Sequence, residues 1–318
     1  MLRRCLLLLP LLLAAPAVAQ DWPQRPVRMV LPFAPGGAVD SASRALAPKL
    51  SELLGQNVVM ENRTGAGGSI AAAAVAQAAP DGYTLLMDAS NHMVNPSLLR
   101  GLPFDYATAF IPVGQFVIYP QVLTVKDSLP VRTVEEFIAL AKREPGRISF
   151  GSPGNATAGH LAGEFLLRCQ GLQMQHIPYR GGADAVRDLA AGNIDAVTAT
   201  MVSARAMVEA GRIRPLASLS RERIALLPNV PALSEGLCPG FDVSDWAGLF
   251  APAGTPDAVV ARLSAALRTA LADATLRERL AGLGAVPVGS TPAEFTAMLK
   301  TGTESWGRLV REAGIRVD

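Results

Sequence analysis

The stretch "IPVGQFVIYPQVLTV", residues 111–125, decides how the rest of the chain is read. It is long, apolar and rich in β-branched residues, a composition that favours extended backbone. Pro120 interrupts it, and a proline both removes a ladder donor and is poorly tolerated inside a central strand. The stretch therefore reads as a path between two lobes rather than as one strand. A second extended passage, "FDVSDWAGLFAPAGTP" (241–256), supplies the way back.

Both sides of the first crossing alternate short apolar runs with alanine-rich amphipathic segments. Strands are expected at 27–33, 57–62 and 83–90, with helices at 39–54 and after Gly68. A second series follows: helix 133–144, strand 147–151, helices 157–170 and 182–191, then strands 194–200 and 213–220. Short strands separated by helices imply βαβ units, hence an α/β fold with a largely parallel sheet and helices on both faces. Beyond the second crossing come helices near 256–272 and 274–283. A last helix is expected from Ser290/Thr291, a cap followed by Pro292 and Glu294, to about Ala313. Lobe 1 is thus expected to comprise 20–122 plus 246–318, and lobe 2 123–245.

The bulk composition narrows the function. Arg3 and Arg4 precede an apolar run over 6–13, and Ala17-Val18-Ala19 makes a small-residue cleavage site, so residues 1–19 read as a secretory signal peptide. The full chain has 29 basic and 27 acidic side chains; losing those two arginines leaves 27 of each and no net charge. A neutral chain has no global field to hold nucleic acid or an anionic membrane. No long apolar run follows residue 20, so a soluble periplasmic protein without stable membrane insertion is expected, as a monomer. Cys5 leaves with the signal. Cys169 and Cys238 remain, and their separation leaves open whether they pair in an oxidising compartment.

Three strand ends carry loops of one chemical kind: "PFAPGGAVDSAS" (32–43), "NRTGAGGS" (62–69) and "GSPGNATAGH" (151–160). Glycine lets backbone approach a ligand, and a helix N-terminus offers unpaired N–H groups and partial positive charge. Such turns make anion sites without a cation. Neither the P-loop pattern nor G-x-G-x-x-G is present, so a carboxylate fits better than a nucleotide. Any single glycine-rich turn is more often only a turn. Three of them at the C-terminal ends of strands coincide with where open α/β sheets bind ligands.

At these residues the chain resembles the Bug-type, or tripartite tricarboxylate transporter, family of extracytoplasmic solute-binding proteins. The resemblance rests on "RPVRMVLPFAPGGAVD", "ENRTGAGGS", "AAPDGYTLL", "VNPSL", "FGSPGNATAGHLAGE", "IPYRGGADAVRDLAAGNIDA", "LPNVPALSE" and "WAGLFAPAGTP", in that order from about Trp22 to the C-terminus. It implies a two-lobed type II periplasmic-binding-protein fold with a small acid held in the cleft. The implied contacts are Ala34, Pro35, Gly36 and Gly37 in the first loop, and Gly65, Ala66, Gly67 and Ser69 in the second. Ser90 and Asn91 follow the third strand. The opposite lobe supplies Ser152, Asn155, Thr157 and His160, then Tyr179, Arg180 and Gly181, then Thr200 and Ser203. Two departures concern the ligand's identity: Pro153 removes a donor before the "GN" turn, and Asn91-His92 stands where small polar residues are usual.

Individual residues carry competing readings. His160 can donate to a carboxylate or cap its helix; His92 reads as the finish of a strand and His176 as structural. Asp40 and Arg44, four apart, can pair on the surface, or Asp40 can fix the PGG loop. The Arg180 guanidinium suits a second carboxylate. Trp246 reads as hinge packing. Three scattered histidines make no metal site, no cofactor motif is present, and no G-x-S-x-G elbow marks an esterase-like enzyme. The expected function is a periplasmic receptor that closes on a small carboxylate and delivers it to membrane transporter subunits. The alternatives are a ligand sensor docking to a signalling partner and a secreted α/β hydrolase acting on a small acid.

Overall fold

The computed structural model describes residues 22–313, so the expected signal segment, with Cys5, lies outside the described residues. In chain order the first series is β1 (Val27–Leu31), α1 (Ala38–Leu54), β2 (Val58–Asn62), α2 (Ser69–Ala76), β3 (Thr84–Ala89) and α3 (Asn91–Leu98). Next come β4 (Phe110–Tyr119), β5 (Gln121–Lys126), α4 (Val134–Arg143), β6 (Ser149–Ser152), α5 (Ala158–Gln170) and β7 (Gln175–Pro178). α6 (Gly182–Ala191), β8 (Ala196–Thr200), α7 (Met201–Glu209) and β9 (Ile213–Ser218) follow. β10 (Asp245–Pro252), α8 (Asp257–Ala272), α9 (Ala274–Gly282), β11 (Val286–Pro287) and α10 (Pro292–Ala313) complete the described chain.

Two sheets result, one of six strands in the order β11-β4-β10-β3-β1-β2 and one of five in the order β7-β6-β8-β5-β9. The expectation of a largely parallel sheet needs correction, because both sheets are mixed. β1 pairs in parallel with β2 and β3, and β6 with β7 and β8. β10 runs antiparallel to β3 and β4, and β5 runs antiparallel to β8 and β9. These antiparallel strands flank the passages between sheets. No helical crossover joins them to a neighbour, so the rule that makes βαβ strands parallel does not act on them.

Pro120 marks the first passage. Tyr119 is paired with Asp245 in the six-stranded sheet, and Gln121 is paired with Thr200 in the five-stranded one. The Pro120 carbonyl accepts the Met201 N–H at 2.8 Å. In the return passage Val243 N–H still bonds Leu219 O at 3.0 Å, and Asp245 already begins β10. Half of the expected crossing at 241–256 is therefore a buried central strand, β10. The helix at 91–98 was not expected; β3 ends at Ala89 and α3 starts almost at once, placing His92 on a helix rather than at a strand's finish. β7 and α7 were also missed, the first because four residues give too short a pattern to register.

Strand and helix faces meet as their periods require. Val27, Met29 and Leu31 of β1 pack with α1, α8 and α9, while Val30 faces the layer of α2, α3 and α10. The second of these apolar clusters continues into Leu123, Phe137, Phe150 and Leu161, so it underlies both sheets on one side. α10 begins as expected. Thr291 Oγ1 accepts the Glu294 N–H at 3.2 Å, and Glu294 Oε2 accepts the Thr291 N–H at 2.8 Å, a reciprocal capping box.

Cys169, near the end of α5, is disulfide-bonded to Cys238 with Cα atoms 6.0 Å apart and a sequence separation of 69. The structure thereby settles the pairing that spacing left open. Cross-linking a loop of this length restricts the unfolded chain and typically stabilises by about 2–4 kcal/mol. The double variant Cys169→Ser/Cys238→Ser is expected to lose about that much in denaturant unfolding, with added reductant reproducing the loss in the parent protein. Equal midpoints with and without reductant would show that the bridge adds nothing.

Candidate functional site

The first loop leaves β1 and enters α1 with its carboxylate already supplied from within. Asp40 is buried in the first turn of α1; its Oδ2 accepts the Gly36 N–H at 2.8 Å and its Oδ1 accepts Asn62 Nδ2 at 2.8 Å. Arg44 Nε donates to both carboxylate oxygens. Burial pushes the Asp40 carboxyl up, but the bonds from Arg44, Asn62 and Gly36 outweigh it and hold the group below the usual carboxylate range. Gly37 N–H donates to Ala34 O at 3.2 Å. Two N–H groups expected to face a ligand are thus used inside the turn, and both readings of Asp40, Arg44 partner and loop anchor, hold together. Ala34 and Pro35 are exposed beside them.

The second loop is shaped by left-handed backbone. Gly65, Ala66, Gly67 and Gly68 have φ of 119°, 47°, 62° and 92°. The Gly67 carbonyl is pinned by Asn91 Nδ2 at 3.2 Å and by Asn95 Nδ2 at 2.9 Å. A Cβ on Gly68 would lie 2.7 Å from Asn91 Nδ2 and 3.1 Å from Pro32 Cβ, so glycine permits a close approach between turn, β1 exit and α3. Ser69 Oγ donates to Ala66 O at 2.9 Å.

Buried Asp88 organises the third strand end. It accepts from Ala89 N–H, Asn91 Nδ2 and His92 Nδ1, at 3.0, 2.8 and 2.9 Å. The His92 ring stacks on Phe250 at 4.2 Å, which makes it a buried prop of α3. Ser90 Oγ donates to Asp245 Oδ1 at 2.6 Å, tying this strand end to the return passage. Trp246 is buried, its ring edge-on to Phe295.

In the five-stranded sheet, Ser152 Oγ lies 2.7 Å from His176 Nε2, and Thr157 Oγ1 donates to Gly154 O at 2.8 Å while accepting the His160 N–H. His160 Nδ1 accepts the Ala156 N–H at 3.0 Å, which leaves the ring proton on Nε2. The rings of His160 and His176 stack 3.8 Å apart. Tyr179 N–H donates to Ser152 O and its hydroxyl donates to Asp188, while Thr200 and Ser203 hydroxyls are 3.1 Å apart. Gly181 precedes α6 as its N-cap. Asn155 and Arg180 are exposed, with no side-chain hydrogen bond or ion pair among the described residues.

The predicted residues thus form two groups, one per sheet, each internally bonded. A cavity of about 240 Å³ lies between α1 and α7: Gly36, Ala38 and Ser41 line one wall and Met201, Val202 and Arg205 the other, with Gly36 the one predicted residue in its lining. The glycine turn at 65–69 and the 152–160 turn are outside that lining. Sequence reading missed Asn62, Asn95 and Arg205. Asn95 stands four residues after Asn91, a spacing that places two amides on one helix face.

Burial, with the His160 ring stacked beside it, pushes His176 down to about 4. A histidine depressed in the folded state favours folding fully above its unfolded value near 6.5, and that contribution is lost as pH falls toward 4. His176→Gln is therefore expected to flatten the loss of stability between about pH 6.5 and 4. Parallel curves for variant and parent in denaturant titrations would contradict this.

The comparisons with known proteins bear on the whole arrangement. The profile described as "Tripartite tricarboxylate transporter family receptor" matches residues 42–315. BugT of Bordetella pertussis is 34% identical over 307 residues, covering 96% of this chain and 94% of that protein. A solved R. palustris structure with adipate is 33% identical, with a TM-score of 0.81 over 93% of this chain and 99% of that one. MatC from Rhodopseudomonas palustris with bound malate is 31% identical, with a TM-score of 0.77 over 91% and 100%. Among the described residues no helix is long and apolar enough to cross a membrane, and no cluster of metal-ligating side chains occurs. On the matched profile and these identities, the chain belongs to the receptors of the tripartite tricarboxylate transporter family.

Proposed function

We propose that this protein is a periplasmic receptor that closes around a small carboxylic acid and hands it to membrane transporter subunits. The observation that carries the reading is that strand-end turns of the two sheets approach each other across one cavity, with Gly36 on one wall and Met201 on the other. Relatives of like fold hold adipate and malate. The hydroxyls of Ser69 and Thr157 already donate within their own turns, and those of Ser90 and Tyr179 to Asp245 and Asp188. Recognition therefore falls to backbone N–H groups of the turns, to the Asn155 amide, the Arg180 guanidinium and the Thr200–Ser203 pair. The protein acts as a monomeric binder without turnover, and its two lobes divide at Pro120 and at Ser244, where the chain changes sheets, rather than at the expected 122/123 and 245/246.

The energetics favour a clamp. Micromolar affinity needs about 8 kcal/mol of net binding free energy. A hydrogen bond to a charged group contributes roughly 1.5–3 kcal/mol before ordering and desolvation are subtracted. Several donors are needed, and no single turn supplies them. A ligand bridging both lobes binds the closed form better, which is what drives closure.

Gly67→Val tests the turn. Valine at φ 62° is strained, so stability should fall by about 1–2 kcal/mol, while binding of a screened mono- or dicarboxylate should be abolished in calorimetry. Unchanged affinity would reduce the turn to a structural element. Solution scattering tests the clamp: the radius of gyration should fall when a calorimetrically confirmed acid is added, by rotation near 120–125 and 241–250. An unchanged profile at saturation would remove the closing mechanism.

A further inference from the structure

A larger cavity, of about 690 Å³, lies beside the passages between the sheets and shares no residue with the predicted carboxylate site. Leu161 and Phe165 of α5 form one side, Val243 and Trp246 of the return passage another, and Met298 and Trp306 of α10 a third. Ala297, Thr301 and Ser305 are exposed at its mouth. Its volume falls in the range of pockets that hold organic ligands.

Two features define what it can hold. Gln115, on β4, lines the cavity, is only 9% exposed, and its side-chain amide has no hydrogen bond among the described residues. Its amide atoms are not sealed from the cavity, so a ligand head that enters can reach them. The second feature is charge. No lysine, arginine or histidine lines the cavity, and its ionisable side chain is Asp242. Asp242 is exposed at the cavity's edge, and its Oδ1 accepts the Arg221 N–H and the Ser244 hydroxyl. An anion would enter an apolar space beside an acid with no counter-charge. A carboxylate, the ligand class of the cleft, is therefore the wrong occupant.

We propose that this cavity is a second ligand site, taking a neutral molecule with a flat apolar body and an amide-type head that pairs donor to acceptor with the Gln115 amide. The aromatic and aliphatic walls bury the body, and the two-point amide pairing sets its direction. The proposal stands apart from the carboxylate reading, since it rests on other residues and opposite charge logic.

Calorimetry on the mature, disulfide-intact protein with 2-naphthamide and its anionic counterpart 2-naphthoate separates the cases. Naphthamide should bind, and its affinity should be the same in Gly67→Val, in which the proposed carboxylate site is disabled. Gln115→Met keeps the volume but removes the amide, and should weaken naphthamide about three- to tenfold. Thr301→Trp, at an exposed mouth position, should block it, and this variant carries the test should Gln115→Met fold poorly. Naphthoate should show no binding that Thr301→Trp removes. The proposal is overturned if naphthamide gives no heat with the parent protein, if Thr301→Trp binds it as tightly, or if Gly67→Val abolishes its binding.

Discussion

At Pro120 one residue without an N–H separates two ladders. Tyr119 belongs to the six-stranded sheet and Gln121 to the five-stranded sheet, while the proline carbonyl takes the Met201 N–H at the start of α7. Proline supplies no ladder donor; β4 and β9 pass through Pro112 and Pro215 only beside register shifts, and at Pro120 the pairing breaks altogether, where the chain changes sheets. The partner strand repeats the switch: Val243 is still bonded to Leu219, and Asp245 is already paired with Tyr119. The turns that form the candidate site are positioned by these two passages, because each sheet's strand ends are oriented relative to them.

The buried polar groups around the passages follow from the same constraint. Strand ends at the centre of a molecule leave backbone and side-chain groups away from water, and each needs a partner. Asp88 gathers Ala89 N–H, Asn91 and His92; Asp40 gathers Gly36 N–H, Asn62 and Arg44; Asp245 takes the Ser90 hydroxyl. Burial pushes the Asp245 carboxyl up, as the low-dielectric position of a crossing strand requires. In this way three acids, Asp88, Asp40 and Asp245, become the struts that hold the loops.

The two cavities divide by chemistry. The one between Gly36 and Met201 is bounded by helix starts and by Arg205, surroundings that suit an anion. The one beside the return passage is bounded by aromatic rings, methionines and an acid. Both lie where helices of one sheet meet those of the other, which is where packing between separately twisted layers leaves space.

Much of this was legible in the residues themselves. Strand β1, helix α1 and the capped start of α10 follow from local pattern and cap chemistry, which act over a few residues and need no distant partner. The family is carried by eight motifs in order, because a loop that must adopt left-handed backbone or approach another chain segment restricts its residue types. What the linear chain could not decide was pairing at a distance. The direction of β5 and β10, the Cys169–Cys238 bridge, the hydrogen bond that occupies Ser90, and the open amide of Gln115 all depend on which segments meet. Those meetings are set by burial of whole faces against each other, a collective quantity that no short window of sequence contains.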